Sequence, residues 1–115
     1  MDSAFFSEKR AYSRFPVSIP LSYSDSNSSD TIHIQTHDIS AEGLSTLIDK
    51  ELPVGSYLDI CLQMPDNQEK IYRKGKVIWL KAIDAKAYRI GVKLESPPLK
   101  TVILVLRVIK ARRKY

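Results

Sequence analysis

A chain of 115 residues, 43% hydrophobic and 27% charged, has room for one core and no second module, and such a composition excludes a wholly disordered or fibrous protein. With 18 Lys and Arg against 13 Asp and Glu, the formal charge of +5 favours anionic partners, whether phosphates, nucleic acid or an acidic protein surface. A single cysteine, Cys61, excludes an intrachain disulfide and a four-thiol zinc site, and no apolar run approaches the roughly 20 residues that cross a bilayer.

Met1–Ser7 lacks a basic region followed by an apolar core, so no signal peptide is expected and the chain reads as a soluble cytoplasmic protein. From Val17 onward, Val17, Ile19, Leu21 and Tyr23 alternate with smaller or polar residues, which predicts a half-buried strand, with Pro20 arguing for a sheet edge. The stretch Ser24–Asp30, SDSNSSD, has nothing to bury and reads as a hairpin loop before a strand over Thr31–Ile39. A short strand over Leu44–Ile48 comes next, and then Pro53 and Gly55 mark a turn.

Alternation sharpens beyond that turn, with Leu58, Ile60, Leu62 and Met64 on one face and Tyr57, Asp59, Cys61 and Gln63 on the other. Cys61 is expected to be a structural thiol. Ile71–Lys81 is long enough to curl around a barrel, with Gly75 the expected bend or bulge. Tyr88, Ile90, Val92 and Leu94 complete the last strand. Beyond Ser96, Pro97 and Pro98 the period changes to three and four through Leu99, Val102, Ile103, Leu106 and Ile109, the expected buried face of a helix. Proline suits its first turn, and Lys110, Arg112, Arg113 and Lys114 suit its negative end. Val105 and Val108 fall outside that stripe and are left for another subunit. The expected fold is therefore all-β, a six-stranded antiparallel barrel with a C-terminal α-helix.

Ahead of the first strand, Arg10 and Arg14 stand four apart in KRAYSRFP, and Pro16 biases Phe15 toward an extended backbone. An arginine fork can grip phosphate oxygens or the O6 and N7 edge of guanine with paired hydrogen bonds. Between two strands, Asp38-Ile39-Ser40-Ala41-Glu42-Gly43 sets Asp38 and Ser40 on one strand face and gives Gly43 the role of closing the turn. An aspartate accepts from the N1 and N2 donors of guanine, and a serine hydroxyl donates to phosphate. Each segment alone is ordinary: a solvated basic arm and an ordinary turn.

Together and in this order, Arg-x-x-x-Arg followed by Asp-x-Ser-x-x-Gly resembles the ligand signature of the PilZ family. Gly75-Lys76-Val77-Ile78-Trp79 and Tyr88-Arg89-Ile90-Gly91-Val92-Lys93-Leu94 look like two late strands of such domains, so the likeness runs from Lys9 to Leu94. The resemblance implies a receptor for cyclic di-GMP, with a flexible arm over 1–16, a barrel over 17–96 and a helix over 97–115. Arg10, Arg14, Asp38, Ser40 and Gly43 would hold the ligand, and Lys9 would bear on whether one ligand or an intercalated pair binds. It implies ligand binding with a downstream protein partner, no catalysis and no cofactor besides the ligand, in a monomer or dimer.

Trp79 shares a strand face with Val77, which favours packing inside the barrel; stacking on a base near the rim would instead make it a ligand contact. His33, Gln35 and His37 share a face, yet no third protein ligand accompanies the two imidazoles, so no metal site is expected. Neither a nucleophile with a paired base nor a pair of catalytic carboxylates is evident. Two other readings compete: an adapter that recruits a protein through the helix, and a small barrel that binds single-stranded nucleic acid.

Overall fold

The computed structural model describes residues 14–25, 29–95 and 97–112, apart from the side chain of Val102. Its elements are β1 (Pro20–Asp25), β2 (Ile32–Ser40), β3 (Gly43–Ile48), β4 (Tyr57–Gln63), β5 (Lys70–Asp84), β6 (Ala87–Leu94) and α1 (Thr101–Arg112). The strands are antiparallel neighbours in the order β1-β2-β3-β6-β5-β4, and β4 returns to β1 to close a barrel. The expected six-stranded barrel with a C-terminal helix is therefore observed.

Alternation explains the interior. Leu58, Ile60 and Leu62 of β4, with Met64 just beyond it, are all buried, as are Ile90, Val92 and Leu94 of β6 and Leu21 and Tyr23 of β1. Cys61 faces outward and is half-buried as a free thiol. Gly75 does not mark a bulge: it pairs in register with Leu58 and Leu94 and points inward, where an added Cβ would lie 2.5 Å from Val92 Cγ1. The bulges of β5 fall later, between Val77 and Trp79 and between Ala82 and Asp84.

Two expectations for the first strand change. Val17 and Ile19 are buried as their alternation predicts, but regular pairing starts only at Pro20. The preceding residues are held instead by the buried Thr36, whose hydroxyl donates to Val17 O at 2.6 Å and accepts from Ile19 N at 2.9 Å. Nor is β1 an edge, because closure pairs it with both β2 and β4; Pro20 is tolerated as the first residue of the strand.

The helix presents the opposite face from the one expected. Leu99 is buried, but within α1 it is Thr101, Leu104 and Val108 that are buried, with Val105 packed against the core, while Ile103, Leu106 and Ile109 are 54%, 59% and 43% exposed. Val102 lies outside the described side chains. Positions 101, 104, 105 and 108 repeat at three and four as well as the expected stripe does, so periodicity could not choose between them. Polar ties decide. Arg107 grips Asp66 with two bonds of 2.8 and 2.9 Å, and Arg112 donates to Ser18 O at 3.0 Å. Together these lay Leu104 and Val108 over the barrel end. Pro97 and Pro98 belong to the leader before α1 and not to its first turn, and Arg113 and Lys114 lie outside the described residues.

Candidate functional site

Arg14 is positioned by its neighbour. Phe15 and Ile39 exchange backbone hydrogen bonds, Phe15 N to Ile39 O at 2.8 Å and Ile39 N to Phe15 O at 3.0 Å. This pairing sets Arg14 beside the end of β2, where its Nη1 lies 3.6 Å from Asp38 Oδ1.

Asp38 faces outward because β2 carries a bulge. Thr36 opposes Thr46 and Asp38 opposes Ser45, so His37 is an extra residue between them. Thr36 points in, and strict alternation would send Asp38 in after it; the bulge turns Asp38 out instead. Beyond it, Ile39 is fully buried, and Ser40 returns to the same outer face as Asp38, largely covered there.

Ser40 pairs with Gly43 across the tight turn at Ala41 and Glu42, and its Oγ donates to Gly43 O at 3.3 Å. Both intervening carbonyls are taken: Leu99 N donates to Ala41 O and Leu94 N to Glu42 O, each at 2.8 Å. The expected reason for Gly43 needs correction. Among the described residues only Gln68 and Gly55 have positive φ, so no left-handed backbone demands glycine at position 43. Space does: a Cβ there would stand 2.6 Å from Val92 O on β6.

A second bulge places Trp79. Val77 opposes Val92 inside the barrel and Trp79 opposes Gly91, leaving Ile78 as the extra residue, so the indole lies outside and not beside Val77 in the core. Its ring covers Gly91, where an added Cβ would sit 2.1 Å from Nε1. Trp79 therefore takes the rim position that sequence alternation disfavoured.

Arg14, Ser40, Gly43 and Trp79 line one depression of about 240 Å³, together with Glu42, Ile78, Gly91 and Lys93. Asp38 joins it through Arg14. Beneath the outer face, Ser45 Oγ is buried with no hydrogen-bond partner among the described residues, on a strand position flanked by Asp38 and Gly91. Lys9 and Arg10 lie outside the described residues. Gly91 and Lys93 were not singled out from the sequence as site residues: their alternation on β6 was visible, but the register that sets Lys93 opposite Gly43 was not.

Elsewhere, His33, Gln35 and His37 are exposed, and among the described residues no three His, Cys, Asp or Glu are grouped to hold a metal. No described helix is long and apolar enough to cross a membrane.

A family model for the PilZ domain matches residues 8–111. The chain belongs to the PilZ domain family. No curated protein sequence matches it, but solved PilZ structures share its fold. The PilZ domain of Escherichia coli YcgR, solved with c-di-GMP, superposes with a TM-score of 0.64 at 18% identity, covering 92% of this chain and 93% of that one. Full YcgR in complex with c-di-GMP gives 0.65 at 17% identity, over 92% of this chain and 47% of that one. The Bacillus subtilis inhibitor of motility MotI/DgrA gives 0.62 at 13% identity, covering 91% of this chain. This PilZ chain spans about half the length of the MotI/DgrA structure, 50%.

Proposed function

We propose that this PilZ domain is a bacterial, cytoplasmic receptor that binds cyclic di-GMP through Arg10, Arg14, Asp38, Ser40 and Gly43, without catalysis. The observation that carries the reading is the meeting of Arg14, Ser40, Gly43 and Trp79 around one outward depression, with Asp38 beside Arg14. In this reading the arginine forks take phosphate oxygens and the guanine O6 and N7 edge, Asp38 accepts from guanine N1 and N2, and the indole of Trp79 offers a flat apolar surface to a base. Lys93 adds a cation toward a doubly anionic ligand.

At 240 Å³ the depression is smaller than the roughly 300–1,000 Å³ that typically encloses a ligand of this kind. In this reading Lys9 and Arg10 supply further ligand contacts, and the surface changed by binding is what a downstream protein reads. The turn that holds Ser40 and Gly43 is bonded through Ala41 O to the leader of α1, which gives ligand occupancy a physical route to the helix.

Isothermal titration tests the receptor reading. Saturable binding with a micromolar Kd, about 8 kcal/mol of binding free energy, is expected. Absence of saturable heat with cyclic di-GMP at high micromolar concentration overturns it.

A further inference from the structure

Three large apolar side chains of α1, Ile103, Leu106 and Ile109, stand 54%, 59% and 43% exposed. At spacings of three they form one stripe along the helix. Beside it runs a groove of about 550 Å³ between α1 and the start of β5, floored by Ile71, Pro98 and Leu99 and walled by Tyr72, itself 66% exposed. A contiguous apolar surface of this kind, rimmed by polar groups, marks an interaction site.

Charge selects the occupant. Lys100 precedes the stripe and Lys110 comes after it; Leu104 N donates to Lys100 O at 3.0 Å, so Lys100 already stands in helical register. The two are separated by about 15 Å along the axis. Lys70 lines the groove. All three are exposed, and none has an ion-pair partner among the described residues. Asp66 and Glu69 share the single cation of Arg107, and the one carboxylate charge left over is outweighed by the three lysines together with Arg73, which also lines the groove. No acidic residue lies in α1.

A second copy of this chain fits poorly. Antiparallel pairing, with Leu106 on Leu106 and Ile103 on Ile109, would set Lys100 against Arg112 of the other copy, and parallel pairing would set each lysine against itself, both repulsive. A flat bilayer surface cannot fill the concave groove between α1 and β5. We infer that the Ile103–Leu106–Ile109 stripe and its groove dock an acidic amphipathic helix of a partner protein, apolar residues on the stripe and carboxylates against Lys70, Lys100 and Lys110.

A fluorescently labelled designed helix, with leucines on one face and glutamates on the others, is the probe, and its lysine-for-glutamate counterpart is the control. Titrated with the full chain by anisotropy, the acidic helix is expected to bind saturably, more weakly as salt rises, and the basic one not at all. Leu106→Asp, and separately the double charge reversal Lys100→Glu with Lys110→Glu, should each weaken binding by about tenfold or more. The reversal changes only exposed side chains and keeps the test valid if Leu106→Asp perturbs folding by circular dichroism. Absence of saturable binding, or equal binding of both helices, overturns the inference. So does sedimentation showing a wild-type dimer that Leu106→Asp dissociates, or association with phosphatidylserine vesicles that the same change abolishes. Cyclic di-GMP titration of the Leu106→Asp and double-reversal proteins should be unchanged, so failure here and failure of the receptor reading are read separately.

Discussion

Arg14 and Asp38 face each other at 3.6 Å because the residues beside them, Phe15 and Ile39, are locked in a backbone pair. A partly exposed ion pair at this long separation contributes only about 0–1 kcal/mol to stability. Its expected value is in binding: both groups are held where a nucleotide can exchange their mutual contact for its own.

Arg14→Ala should therefore leave the thermal midpoint nearly unchanged while weakening cyclic di-GMP binding at least about tenfold, as loss of charge-assisted bonds worth about 1.5–3 kcal/mol requires. Arg10→Ala should behave alike. Wild-type affinity in both variants, measured by titration calorimetry, would contradict the site. Asp38→Ala should narrow the preference for cyclic di-GMP over cyclic di-AMP; an unaltered preference removes Asp38 from guanine recognition.

Trp79 is the only tryptophan and lies in the proposed site, so its emission should shift or quench on cyclic di-GMP addition with the same midpoint as the heat. Gly91→Ala places a methyl against the indole and should displace the ring, altering the emission of the free protein and weakening the ligand. Emission that ignores saturating ligand would place Trp79 away from it.

Thr36 serves the segment that carries Arg14. Thr36→Val keeps the shape and removes both the bond to Val17 O and the bond from Ile19 N, leaving buried backbone groups unpaired. A loss of about 2 kcal/mol is expected, a fall of about 10 °C for a domain of this size. Thermal unfolding by circular dichroism checks it; a shift below about 2 °C would mean that water or a neighbour replaces the hydroxyl.

Two bulges and one tie between helix faces set how far these features were readable. Alternation foretold the barrel interior of β4 and β6, and the two short motifs contain Arg14, Ser40 and Gly43, which line one depression, while Arg10 lies outside the described residues. Neither bulge was visible. His37 and Ile78 are ordinary strand residues, and yet each extra position reverses the facing of the residues after it, which is why Trp79 was expected inside. On α1 two apolar stripes have equal periodicity, and what distinguishes them is tertiary: the core that receives Leu104 and Val108, and the distant contacts of Arg107 and Arg112 with Asp66 and Ser18.

Tyr23 gives a pH signature. Burial, then the charges of Asp49 and Asp25, raises its hydroxyl above the ordinary value of 10.0. The unfolded chain thus loses this proton first as pH rises. The stabilisation is complete below about pH 10 and disappears as pH climbs through the folded-state value. Tyr23→Phe should therefore lose thermal stability less steeply than wild type above that pH. Parallel slopes for the two proteins would show that Tyr23 is not perturbed.

The turn after Ser40 has a consequence for how the family motif is spelled. Ser40 and Gly43 pair across the ladder, Gly43 abuts Val92 O, and the two residues between them give their carbonyls to Leu94 and Leu99. Ala41 and Glu42 serve this wiring through their main chain, while the Glu42 side chain also borders the depression. The interval between serine and glycine is thus set by the wiring of this barrel. An inserted residue would break two hydrogen bonds to β6 and the helix leader even in a homologue that had abandoned its nucleotide.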